Sequence, residues 1–114
     1  MGQRKLGRTS SHRIALMRNL AASLIRHGYL ITTLAKCKEL RSFVEPLITL
    51  AKQDDLARRR RANRHIPDWG LVGHLFEEIG PRYVTRPGGY TRIVRLPERT
   101  RDAAALGRIE LVEE

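Results

Sequence analysis

At 114 residues the chain has room for one domain whose core needs no disulfide or metal to hold it. Its composition, 41% hydrophobic and 30% charged, excludes disorder throughout. The charge is out of the ordinary: +10 net, with 18 Arg against only Lys5, Lys36, Lys38 and Lys52. A planar guanidinium matches phosphate oxygens in pairs, so this bias points to nucleic acid before generic solubility.

Residues 1–9 form a polar basic arm carrying Arg4, Lys5 and Arg8, with little to bury. Residues 10–27 are predicted as a helix, capped by Ser10 or Ser11 and ended at Gly28. At about 100° per residue, Ile14, Met17, Leu20, Ala21, Leu24 and Ile25 share one face of it. Arg13 near its N-terminus opposes the helix dipole, so exposed helix N–H groups beside an Arg arm outline an anion seat. In composition this N-terminus resembles a mitochondrial transit peptide, but residues 10–27 look needed by the core. Arg18, Asn19, Arg26 and His27 interrupt the apolar run from Ile14 to Ala35, which therefore fits neither a membrane span nor a secretory signal.

Tyr29–Thr33 is β-branched and aromatic, a predicted strand, and Thr33 is placed to cap a second helix over 34–53. Cys37, Leu40, Val44, Leu47, Ile48 and Ala51 make its apolar stripe, and Pro46 inside it is expected to kink it. Asp54 or Asp55 caps a third helix bearing Arg58, Arg59, Arg60, Arg61 and Arg64, which stops before Pro67. Asp68 caps a fourth, with Val72, Leu75, Phe76 and Ile79 at helical spacing and Gly80-Pro81 as its stop. Beyond Pro81 the period becomes alternating, with Tyr90, Arg92, Val94 and Leu96 on one side and Thr91, Ile93 and Arg95 on the other. A loop from Pro97 to Ala105 precedes a last strand, Arg108–Val112. The expected architecture is α+β: about four helices packed on a small three-stranded sheet in a single domain, residues 10–114, behind the extended arm.

Catalysis finds little support. Cys37 lies between Lys36 and Lys38, which would favour a thiolate, yet it belongs to the apolar stripe and reads as a core residue. His12, His27, His65 and His74 are not spaced to build a metal face, and one cysteine excludes both an intramolecular disulfide and a cysteine zinc cluster. Neither cofactor nor small-molecule substrate is expected, and a reducing compartment is the default.

Binding is better supported. The first 38 residues contain no Asp or Glu and eight basic side chains: Arg4, Lys5, Arg8, Arg13, Arg18, Arg26, Lys36 and Lys38. Like charges without partners repel, so such a segment takes its counter-charge from outside. Arg58 to Arg61 encircle most of one helix, leaving little apolar face to bury. Residues 82–101 add Arg82, Arg86, Arg92, Arg95, Arg99 and Arg101 against Glu98 alone. Within that run Arg86-Pro87-Gly88-Gly89-Tyr90 has two readings: a turn entering a strand, or bare backbone N–H groups facing a phosphate. Aromatic residues amount to only 5%, against the stacking platforms of single-strand binders. A helix-turn-helix reader of DNA fits poorly, because an all-Arg helix lacks the Asn, Gln, Ser and Thr that read base edges. A basic amphipathic segment over 1–27 lying on anionic lipid is a further alternative.

Six stretches carry a family resemblance: His12-Arg13 with Arg18-Asn19-Leu20; His27 with Ile31-Thr32-Thr33; Lys36-Cys37-Lys38-Glu39-Leu40-Arg41; Glu45 to Lys52; Gly88 to Ile93; and Ile109 to Val112. In this order and spacing the chain resembles the bacterial-type large ribosomal subunit protein seventeen family. Where that family usually has Ala between two lysines this chain has Cys37, and the family's basic arm tends to be slightly longer. The resemblance implies a structural constituent of the large subunit, with no cofactor and no reaction. It also implies binding to large-subunit rRNA near the peptide exit side, contact with neighbouring ribosomal proteins, and a cytoplasmic ribosome, or an organellar one as the alternative. With the residue-level reading it gives a candidate RNA-binding set: Arg4, Lys5, Arg8, His12, Arg13, Arg18, Arg26, His27, Lys36, Lys38, Arg58, Arg59, Arg60, Arg61, Arg64, Arg82, Arg86, Gly88, Gly89, Tyr90 and Arg92.

Overall fold

A computed structural model describes residues 6–97 and 105–113, with residues 6–10 described by their backbone alone. Helix α1 spans Leu6–His27, so the helix begins before the predicted position and Ser10 and Ser11 lie inside it. Met17, Ala21, Leu24 and Ile25 are buried. Each large one of these contributes about 1.5–3 kcal/mol relative to exposure. Ile14, assigned to the same stripe by periodicity, is exposed, as are all of residues 11–16, and it borders an open surface cleft with Glu39, Ser42 and Phe43 of the next helix. Gly28 ends α1 with φ +87°, a left-handed conformation that glycine adopts without strain. Its N–H donates to the Leu24 carbonyl at 2.7 Å and its carbonyl accepts from Leu111 N–H at 2.9 Å.

Strand β1 (Tyr29–Thr33) leads into α2 (Leu34–Ala51), where the Thr33 hydroxyl accepts from the Lys36 N–H at 3.3 Å. The six stripe residues of α2 are all buried, and the helix continues through the exposed Pro46. It packs against α1, the third helix, the turns over 75–83 and all three strands, which makes it the axis of the core. Helix α3 (Leu56–His65) is capped by Asp55, whose carboxylate accepts from the Arg58 N–H at 2.8 Å. Asp68 caps α4 (Trp69–His74) through the Leu71 N–H at 3.1 Å.

The chain does not stop at Gly80-Pro81. A wider π-helical turn, Leu75–Ile79, continues α4, and a tight 3-10 turn, Gly80–Tyr83, follows it. Gly80 permits this by close approach: a Cβ there would meet the Ala51 carbonyl oxygen at 2.1 Å, a clash with backbone that no side-chain movement relieves. The turn delivers Tyr83 to the core, with its hydroxyl donating to the Val112 carbonyl and its ring 5.2 Å from that of Tyr90.

Strands β2 (Thr91–Leu96) and β3 (Leu106–Leu111) complete an antiparallel sheet of order β1-β3-β2. The last strand thus begins two residues before the predicted start and lies in the centre. Register pairs Ile109 with Leu30 and Ile93 on the helix-facing side. Four helices on this three-stranded sheet form the expected α+β arrangement.

Candidate nucleic-acid interface

The third helix sorts its arginines sharply. Asp54 binds Arg59 through both Nε and a terminal nitrogen at 2.7 Å, Glu77 adds a contact at 3.3 Å, and the guanidinium lies over the Phe76 ring. These partners raise the Arg59 pKa further, the Asp54 hydrogen bond most of all. Arg58 is held by Asp55 at 2.6 Å. Arg60, Arg61 and Arg64 are exposed and form no ion pair with any described residue. Only Ala62 of α3 is buried, as the encircling charge implies.

On α1, Arg13 pairs with Glu39 at 2.7 Å and Arg26 with Asp68 at 3.3 Å. Arg18 is half-buried, and its Nε, closed off from solvent, has no hydrogen-bond partner among the described residues. His12 and His27 are exposed; Lys38 is exposed and Lys36 half-buried. Arg4 and Lys5, like Arg99 and Arg101, lie outside the described residues, and Arg8 is placed by backbone alone, inside α1.

The glycine turn resolves in favour of its first reading. Glu45 fills it from α2: one carboxylate oxygen accepts from Gly89 N–H (3.2 Å) and Tyr90 N–H (3.3 Å), the other from Thr91 N–H (3.1 Å) and hydroxyl (2.9 Å). Backbone donors of Gly89 and Tyr90 already serve an internal anion, which corrects the expectation that they seat a phosphate. Tyr90 is 1% exposed and its hydroxyl meets that of Thr49 at 2.9 Å, so it is a core residue and not an RNA contact. Gly88 lies beside them in open space. Arg86 is tied into the turn, its Nε donating to the Gly89 carbonyl at 3.1 Å while its own carbonyl accepts from Lys52. Arg82 is exposed with its guanidinium 5.9 Å from the Tyr83 ring centre.

Arg92 is bound to Glu110, which also accepts from Arg108 Nε at 2.7 Å. Arg108 in turn lies 4.1 Å from the ring centre of Tyr29. Neither Tyr29 nor Arg108 stood out in sequence; alternation along β1 and β3 was the available signal, and it needs the register to bring them together.

Cys37 is fully buried, and desolvation pushes its thiol pKa up, opposite to an activated nucleophile. Among the described residues no group of His, Cys, Asp and Glu could hold a metal ion, and no helix is long and apolar enough to cross a membrane.

A helical layer packs on a small antiparallel sheet, with basic side chains on several faces and the one thiol sealed in the core. Residues 16–112 match the family described as Ribosomal protein L17, and the chain belongs to that family. It is therefore a structural constituent of the large ribosomal subunit, where it assembles with rRNA and other ribosomal proteins.

Proposed function

We propose that the protein braces folded large-subunit rRNA through phosphate contacts, reading shape more than base sequence, and seats beside neighbouring proteins on the peptide exit side. The observation that carries this is the division within α3: Arg58 and Arg59 are consumed internally, while Arg60, Arg61 and Arg64 have no counter-ion among the described residues. Arg18, Lys36 and Lys38 likewise have no ion pair among the described residues, and the acid-free leading sequence contributes the further charges of Arg4, Lys5 and Arg8. Double-stranded RNA presents phosphates and 2′-hydroxyls across a shallow groove, which suits point contacts from several faces of a rigid body. A cytoplasmic ribosome is the compartment this reading assigns.

The test is a salt titration of the full chain on a large-subunit rRNA transcript. Six to ten phosphate contacts lower affinity by about 10³–10⁵ between 50 and 200 mM salt. A flat response overturns the reading, as does failure of the protein to sediment with large subunits.

A further inference from the structure

The outer face of the sheet carries a built feature that phosphate bracing leaves unused. Register places Tyr29, Glu110 and Arg92 in one row across the three strands, and Ile31, Arg108 and Val94 in the next. Tyr29 is 43% exposed and Arg92 64% exposed, whereas the Glu110 side chain between them is only 16% exposed. Glu110 binds both guanidinium groups, one with each carboxylate oxygen, and so holds the Arg108 guanidinium over the Tyr29 ring. A cavity of about 390 Å³ opens at this point, bordered by His27, Tyr29, Arg92, Arg108, Glu110 and Glu113.

We propose that this face receives an unpaired rRNA nucleotide, its base stacking on the Tyr29–Arg108 pair and its phosphate meeting Arg92. The proposal rests on the rRNA-bracing reading and adds to it a contact with a base. Unstacked bases in RNA loops are held on aromatic rings and on guanidinium planes, and here a guanidinium already lies over a ring. The cavity has the volume of a small-molecule site. Arg92 and Arg108 face the carboxylates of Glu110 and Glu113 here, and the 64% exposed side chain of Arg92 is the cation open to a nucleotide phosphate. A protein partner fits less well, since the centres of protein interfaces are depleted of charge and this centre holds three charged groups. Glu110 is a positioning residue here: it touches no base and acts by orienting Arg108 and Arg92.

The test compares the full chain with Tyr29→Phe, Tyr29→Ala and Arg108→Lys variants. The probes are a ten-nucleotide single-stranded RNA and the perfect duplex of the same sequence, at fixed salt. Tyr29→Ala is expected to weaken single-strand binding about tenfold while duplex binding holds within about twofold. Tyr29→Phe retains the wild-type value, and it keeps the ring's packing should the alanine variant misfold. Arg108→Lys keeps the charge and loses the plane, so single-strand affinity falls while the salt slope stays. Wild-type single-strand affinity in both Tyr29→Ala and Arg108→Lys overturns the inference and leaves the face to a protein partner. Loss of all salt dependence would overturn phosphate bracing instead, so the two failures are distinct.

Discussion

Glu45 and Thr91 are 46 residues apart in sequence, yet a single oxygen of the Glu45 carboxylate accepts both the Thr91 N–H and its hydroxyl. The second oxygen serves Gly89 and Tyr90, so one side chain of α2 closes the turn that starts β2. Replacing Glu45 by Ala strands buried donors, Thr91 among them at 3% exposure. The expected cost is about 2–4 kcal/mol in urea unfolding, with Glu45→Gln recovering part because one acceptor oxygen remains. RNA affinity should not rise in Glu45→Ala. A stable variant with tighter RNA binding would mean that the turn is a phosphate seat after all.

Arg59 and its neighbours on α3 should separate stability from binding. Arg59→Gln loses Asp54, Glu77 and the Phe76 ring together, and is expected to lower the melting temperature with little change in RNA affinity. The triple change of Arg60, Arg61 and Arg64 to Gln should do the reverse, reducing the salt slope by about one per lost phosphate contact. Thermal melts and salt titrations of both variants check this. Unfolding of the triple variant would show that these three are structural.

Much of this body was legible from periodicity and end signals. The stripe of α2 is buried residue for residue, and Thr33, Asp55 and Asp68 cap where short polar side chains before apolar runs indicate. What failed were cases where a distant element decides. Ile14 continues the α1 pattern, but it meets α2 only across an open surface cleft bordered by Glu39, Ser42 and Phe43, so it stays in water. Gly80-Pro81 has the chemistry of a stop, yet the backbone of Ala51 comes so near that glycine's missing side chain serves contact, and the chain tightens instead of leaving. The basic residues were visible as a set but not as two classes. Whether Arg59 is spent on Glu77, 18 residues on, or Arg60 is left over depends on tertiary placement. The same holds for Tyr29 and Arg108, which only strand register makes neighbours.

Acid should act on a small group of carboxylates. Arg59 holds Asp54 below its ordinary value, chiefly by its side-chain hydrogen bond, and the Arg58 backbone N–H does the same for Asp55. Arg108, then Arg92, lower Glu110. A carboxyl with a lowered folded pKa stabilises the fold fully above its unfolded value and loses that contribution as pH falls through the folded one. Stability is therefore expected to be level from pH 7 to about 5 and to decline below about 4. Melting curves across this range check it, and Asp54→Asn should flatten the acid limb. A decline that starts near neutrality would place the responsible groups elsewhere.

Cys37 tests how closed the core is. Its sulfur is sealed beneath β3, where Gly107 leaves only enough room that an added Cβ would sit 3.1 Å from Sγ. Burial raises the thiol pKa, so the reactive thiolate is scarce at neutral pH even though Lys36 and Lys38 flank it in sequence. Those lysines cannot help, because successive positions on a helix point about 100° apart and their ammonium groups leave in other directions. A disulfide reagent should accordingly modify the native protein no faster than it unfolds, and the denatured chain at once. Cys37→Ala removes one buried atom from a site lined by Leu34 and Gly107, and an expected loss of about 1 kcal/mol follows from the small cavity. RNA affinity should remain that of the parent chain. Fast labelling of the folded protein would mean that α2 opens away from β3 far more readily than its fully buried stripe allows, and the rigid body on which phosphate bracing depends would have to be given up.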